Sequence, residues 1–191
     1  MAQPASAGDL LLDHDGPWTE QDFLALPEDR RIELVDGGLL VSPHAGRPHQ
    51  RLSSHLWMAL GAAAPADLEV AESINVRVGP GRILIPDLAV VTDPGAGGVV
   101  ADAAEVAMIV EIVSPGSVAA DRAVKPPLYA AAGIPHYLRV ELGEGGASGV
   151  VYRLERGHYA EVARGELLRL AEPFPVVLDL PVLARRTRPQ V

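Results

Sequence analysis

Val106-Ala107-Met108-Ile109-Val110-Glu111-Ile112-Val113 is apolar throughout except at Glu111. The run has the length of a strand and is rich in β-branched side chains. Unbroken apolarity, rather than alternation, is what a strand covered on both faces requires. Such a strand implies layers on either side of a sheet, and so a mixed α/β domain. Glu111 is then the residue that needs a reason, because a lone carboxylate in an apolar strand is costly unless hydrogen-bonded, paired with a cation or bound to a metal.

Upstream, residues 68–78 and 82–92 read as two further strands parted by Gly79-Pro80-Gly81, and Asp93 to Gly98 is rich in turn formers. Asp87 follows Pro86 and interrupts the second of these strands, between Ile83-Leu84-Ile85 and Leu88-Ala89-Val90-Val91. If the strands of Asp87 and Glu111 are neighbours, two carboxylates converge, and a hard divalent cation is the natural means of holding them. The plainer alternative puts both at solvated strand ends.

Further out, Leu52, Leu56, Ala59, Leu60 and Ala63 share one face of a helix from Arg47 to Ala64, ended by Pro65. Thr19, with Asp22 three residues on, caps a short helix through Phe23, Leu24 and Leu26, closed by Pro27. Arg31 to Gly38 alternates up to a Gly37-Gly38 turn, and Leu39-Leu40-Val41 completes a hairpin. Downstream, a second helix starts around Ser117 or Pro126 and runs to Gly133, followed by a strand from Ile134 to Glu141. Gly143 to Gly149 reads as a flexible loop, and residues 150–155 and 158–163 as a hairpin about Arg156-Gly157. The predicted organisation is a flexible leader (1–17), one domain (18–180) and a C-terminal tail (181–191). The domain has a core of helix, three strands, helix and strand, with an N-terminal helix and hairpin and a C-terminal β extension.

Bulk properties narrow the function. The 191 residues suit one domain, and 48% hydrophobic content with 4% aromatic means a core of Val, Leu, Ile and Ala. Without cysteine, disulfide scaffolds, thiolate zinc sites and cysteine nucleophiles are excluded. No stretch approaches the roughly 18 apolar residues of a membrane span and the N-terminus has no h-region, so a cytoplasmic protein is expected. A net charge of −9 argues against binding nucleic acid through a broad basic surface, although a local groove with a metal needs no such surface. Of the 16 basic residues 15 are arginine, which makes Lys125 the chain's single lysine. An ammonium can lower its pKa beside a reacting water, which a guanidinium cannot. The bland reading of Lys125 is a solvated residue before a helix.

The ordered set Arg31-Ile32-Glu33-Leu34-Val35-Asp36-Gly37, Ser42-Pro43, His49-Gln50, Pro86-Asp87-Leu88, Val110-Glu111-Ile112-Val113-Ser114-Pro115, Asp121, Lys125, Leu128-Tyr129 and Gly133-Ile134-Pro135-His136-Tyr137 resembles a restriction-endonuclease-like family of bacterial proteins within the PD-(D/E)XK nuclease superfamily. The resemblance spans about residues 19 to 141 and implies that superfamily's mixed-sheet fold. It departs at Val113, where the superfamily's usual lysine would stand two residues after the acid; Lys125, from the following helix, is the residue that fills the role. Pro126-Pro127 puts it at the helix start. The resemblance implies that Asp87, Glu111 and the Ile112 carbonyl hold Mg²⁺ or Mn²⁺, that Glu33 adds a carboxylate, and that Lys125 orients an attacking water. It makes His49 and Gln50 candidates for the substrate phosphate. The plainer reading of Glu33 is a hairpin surface residue paired with Arg31.

These readings imply a metal-dependent DNA endonuclease, with a homodimer expected where both strands are cut. Two rivals are a silent member of the fold that binds DNA or a protein partner, and a metal-dependent hydrolase of a non-nucleic substrate. A zinc site from His44, His49 and His55 is disfavoured, since spacings of five and six do not share a helix face. Ser42, Ser114 and Ser117 sit beside Pro or Gly and read as turn or cap residues, and Arg185, Arg186 and Arg188 as a solvated basic end.

Overall fold

The computed structural model describes residues 14–26, 31–41, 45–92, 95, 98–113, 123–143 and 146–185. Helix α1 (Glu20–Leu24) starts at Thr19, the cap the sequence predicts, and the structure adds a reciprocal bond from Asp22 that completes a capping box. The hairpin of β1 (Ile32–Val35) and β2 (Gly38–Val41) turns at Asp36-Gly37 rather than at Gly37-Gly38, with φ of 50° and 83°. Gly37 has a further reason to lack a side chain: a Cβ there would stand 2.7 Å from that of Pro17.

Helix α2 (Arg47–Ala63) buries Leu52, Leu56 and Leu60 on its predicted face. The stretch 68–78 is not one strand. It divides into β3 (Glu69–Glu72) and β4 (Asn75–Gly79) at Ser73, whose φ of 53° no strand accommodates. The stretch 82–92 divides likewise into β5 (Arg82–Leu84) and β6 (Leu88–Val91) about Pro86, which lacks the N–H a continuous ladder needs. The chain continues through β7 (Val100–Asp102), β8 (Val106–Val113), α3 (Lys125–Ala131) and β9 (His136–Gly143).

The last part holds β10 (Gly146–Glu155), β11 (His158–Gly165), β12 (Leu167–Leu170), β13 (Val176–Asp179) and α4 (Leu180–Ala184). Residues 146–149 thus belong to a strand, where the glycine density suggests a loop. Gly149 explains part of that density. A Cβ on it would lie 2.9 Å from Cδ1 of both Leu168 and Leu180, so the strand carries a glycine to let these buried leucines close on it.

Among the described residues three sheets result: β11-β10-β9-β8-β6-β3, β2-β1-β5-β4-β7 and β12-β13. Both breaks mark the same event. β3 and β6 pair within the six-stranded sheet, whereas β4 and β5 pair within the five-stranded one, so two adjacent segments leave one sheet for the other side by side. Strand β8 pairs antiparallel with β6 and parallel with β9, joined to β9 through α3. One face of this central sheet packs Val90, Met108, Val110, Ile112, Leu138 and Val140 against α2 and the C-terminal elements. The other packs Ala89, Ile109 and Tyr137 against Tyr129 and Ile134 and against Val76, Val78 and Leu84 of the second sheet. Cover on both faces is what the apolar run 106–113 predicts. The mixed α/β architecture is as expected, and among the described residues no helix is long and apolar enough to cross a membrane.

Gly149→Ala is expected to lower the unfolding free energy by about 1–3 kcal/mol, the range for overpacking a filled core. A denaturant midpoint unchanged from wild type would show that Leu168 and Leu180 yield freely.

Candidate active site

Asp87 lies where the chain crosses between the sheets. The β6–β8 register ends at Leu88 opposite Val110; one pair further, Asp87 faces Glu111. The kink at Pro86 therefore brings the two carboxylates to adjoining strands. Both are buried, at 4% and 1% exposure, so neither is a solvated strand end. Pairing on the site side of β8 continues through a side chain: the Ile112 amide donates to Asp87 Oδ2 at 2.8 Å.

Glu33 comes from β1, which pairs with β5 at Leu34–Ile83. It is 2% exposed, and its Oε1 accepts from the Ile85 amide at 2.7 Å and lies 2.9 Å from Lys125 Nζ. This excludes the surface pairing with Arg31. Arg31 turns instead to Asp87 Oδ1, at 2.9 Å from Nη1, and donates from Nη2 to the Ile85 carbonyl at 3.1 Å.

Lys125 is the first residue of α3, and Pro126-Pro127 fill the turn where a missing N–H leaves no bond unmade. The residue is only 4% exposed, and its ammonium lies 3.1 Å from Glu111 Oε1 as well as beside Glu33. The solvated reading of the lone lysine is thus excluded. Tyr129, four residues on and on the same helix face, donates its hydroxyl to Glu111 Oε1 at 2.8 Å. Burial above all, then the charges of Glu111 and Glu33, push the Tyr129 phenol well up, which keeps it a proton-bearing donor.

His49, buried on α2, places Nε2 3.1 Å from Asp87 Oδ2. Burial pushes the Asp87 carboxyl up, but the hydrogen bond and charge of His49, the charge of Arg31 and the Ile112 amide outweigh it, and the net shift is downward. For His49, burial pulls down and is outweighed by the bond to Asp87 and its charge, so the imidazole is raised. Three carboxylates, Glu33, Asp87 and Glu111, thus face Lys125, Arg31 and His49.

The structure brings together Glu33, His49, Asp87, Glu111, Lys125 and the backbone of Ile112. Gln50 does not join them: it is exposed on α2. His55 bonds to the Leu183 carbonyl through Nδ1, while Ser42, His44, Ser114, Ser117, Asp121, Arg186 and Arg188 lie outside the described residues. In the sequence Arg31 reads at most as a surface partner of Glu33, and Tyr129 carries no assigned role. Their signals were spacing, two residues before Glu33 and four after Lys125.

Among the described residues, no three His, Cys, Asp or Glu side chains are arranged as a metal-ligating group. In donor type the site fits a hard cation through the carboxylates of Asp87 and Glu111 and the carbonyl of Ile112. Glu33 Oε2, buried without a hydrogen-bond partner, is a further oxygen acceptor. A cation reaching Asp87 would compete with Arg31 and His49 for its two oxygens.

A family model described as "Uma2: Putative restriction endonuclease" matches residues 20–183. Among solved structures, one from Anabaena variabilis, described as "a putative nuclease belonging to DUF820", matches with a TM-score of 0.70 at 16% identity. The match covers 88% of this chain and 100% of that one, and at such identity it speaks for the fold alone. No curated protein matches the chain in sequence.

Two outcomes test the electrostatics. Lys125→Gln is expected to cost about 3 kcal/mol in metal-free urea unfolding, because it leaves buried carboxylates without their cation; a cost below about 1 kcal/mol would contradict the pairing. His49 has a raised folded pKa, so the stability it contributes over His49→Gln is full below about pH 6.5 and lost as pH rises through the folded value. The lowered Asp87 acts in the opposite window: its contribution holds at neutral pH and is lost as pH falls through its folded value. A wild-type advantage over His49→Gln that grows from pH 6 to pH 9 would contradict this assignment.

Proposed function

The chain belongs to the Uma2 family of restriction-endonuclease-like proteins, and on that premise we propose that it is a metal-dependent endonuclease hydrolysing DNA phosphodiester bonds. The observation that carries this reading is the chain's single lysine, buried at the start of α3 with its ammonium 2.9 Å from Glu33 and 3.1 Å from Glu111, with Asp87 on the adjoining strand. Stability alone rarely asks for so many ionisable groups out of water, whereas hydrolytic sites gather them.

Asp87, Glu111 and the Ile112 carbonyl would hold Mg²⁺ or Mn²⁺, with Glu33 as a further donor. Such an ion supplies Lewis acidity and neutralises charge building on the phosphoryl oxygens. Lys125 orients the attacking water through an N–H and offsets negative charge as the phosphorus is attacked. Its two carboxylate contacts fix the ammonium, so that little reorganisation is left to the reaction. Glu33 Oε2 is an acceptor for a hydrogen bond from that water. Tyr129 keeps Glu111 in one orientation, and Arg31 and His49 do the same for Asp87. Double-strand cleavage would take two copies related by a twofold axis.

A second reading has an observation of its own. Both oxygens of Asp87 are engaged by Arg31, His49 and the Ile112 amide, as they would be in a silent member of the fold that binds nucleic acid or a protein without cutting.

Supercoiled plasmid incubated with Mg²⁺ or Mn²⁺ separates the two. Wild type is expected to nick and linearise it. Lys125→Arg, which keeps the charge between Glu33 and Glu111 but presents a bulkier guanidinium that cannot hold the water where the ammonium does, is expected to lose about a hundredfold in rate, as for a catalytic group misplaced by about 1 Å. Intact plasmid with well-folded wild type would favour the silent reading, and equal cleavage by Lys125→Arg would remove the lysine from the chemistry.

A further inference from the structure

Arg31 stands apart from the other charged groups of the cluster. Its side chain is 28% exposed, against 5% for Asp87 and Lys125, 2% for Glu33 and Glu111 and 10% for His49. It is therefore the charged group through which the buried cluster meets solvent. A guanidinium carries five N–H donors in a planar fork. Two are used, on Asp87 Oδ1 and on the Ile85 carbonyl, which fix the plane of the fork. The remaining three have no protein partner among the described residues. Burial pulls the guanidinium down but is outweighed by the charge of Asp87 and its hydrogen bond, so the group stays cationic.

A protein of net charge −9 whose site gathers three carboxylates repels a polyanion. Any phosphodiester that approaches needs a fixed cation at the mouth, and a half-engaged fork is well suited to a phosphate oxygen. We propose that Arg31 is a substrate-binding residue, taking a non-bridging oxygen of a nucleic-acid backbone phosphate on the N–H groups not committed to Asp87 and Ile85. The inference rests on the nuclease reading above and adds to it the group that admits the substrate. The alternative is that Arg31 only pins Asp87.

Salt dependence distinguishes the two, because each phosphate neutralised contributes about 0.9 to the slope of log K against log salt for duplex DNA. The experiment is binding of a short labelled DNA duplex by wild type, Arg31→Gln and Arg31→Lys in Ca²⁺ without Mg²⁺, across a salt series. Metal-induced stabilisation of each protein is measured in parallel. The expected result is a slope shallower by about 0.9 in Arg31→Gln with binding weakened on the order of tenfold, as for loss of a charged hydrogen bond. Arg31→Lys should keep the slope, since the charge remains, and still bind several-fold more weakly, since the fork is gone. A wild-type slope in Arg31→Gln with altered metal stabilisation would overturn the proposal in favour of a pin for Asp87. Should Arg31→Gln not fold, undiminished DNA affinity in Arg31→Lys overturns it equally. Absence of salt-sensitive DNA binding by wild type would instead sink the nuclease reading itself, and this inference with it.

Discussion

Three carboxyl groups held out of water at one point are the constraint on which the structure turns. Glu33, Asp87 and Glu111 are each 4% exposed or less, and an uncompensated charge in such a place costs several kcal/mol. Compensation is distributed. Lys125 serves Glu33 and Glu111 together, Arg31 and His49 serve Asp87, and the Tyr129 hydroxyl with the Ile85 and Ile112 amides satisfies further lone pairs. Removing any cation therefore disturbs more than one element, since the partners come from two sheets and two helices.

The fold supplies this convergence through irregularity. A straight strand over 82–92 would keep Asp87 in the sheet of Glu33 and away from Glu111 on β8. The break at Pro86 frees the Ile85 amide for Glu33 and lets Asp87 replace a ladder acceptor for Ile112. The parallel pairing of β8 with β9 requires a crossover, and that crossover ends in the helix that opens with Lys125. Function and topology are thus coupled: the lysine can stand far from Glu111 in sequence because a helix returning over the sheet brings it back. Under the proposed reading, a cluster so heavily charged and so fixed by hydrogen bonds would be pre-organised for chemistry on an anion once a cation offsets its field.

What was legible in the sequence follows the strength of the local physics. The apolar run around Glu111, the helix face of Leu52, Leu56 and Leu60 and the cap at Thr19 are short-range signals, and each was readable. Asp87 and Glu111 stood out as carboxylates in apolar strands, and the lysine stood out by its rarity. The breaks at Ser73 and Pro86 were not foreseen, because periodicity alone does not reveal when a chain changes sheets. The strand character of 146–149 was hidden for a different reason: Gly149 is selected by the side chains that close on it, which only the tertiary structure discloses. Arg31 and Glu33 looked like a surface pair two residues apart, yet each finds its partner more than 50 residues away. Gln50 is exposed beside buried His49, since adjacent helix positions point in different directions.

Calorimetric titration of Mn²⁺ into the wild-type protein and into Glu111→Gln at neutral pH asks whether the buried acidic cluster is built to take a cation. A saturable binding heat is expected in wild type and its loss in Glu111→Gln. A folded wild type that binds no Mn²⁺, or equal affinity in the two proteins, would contradict a cation-binding role for the cluster.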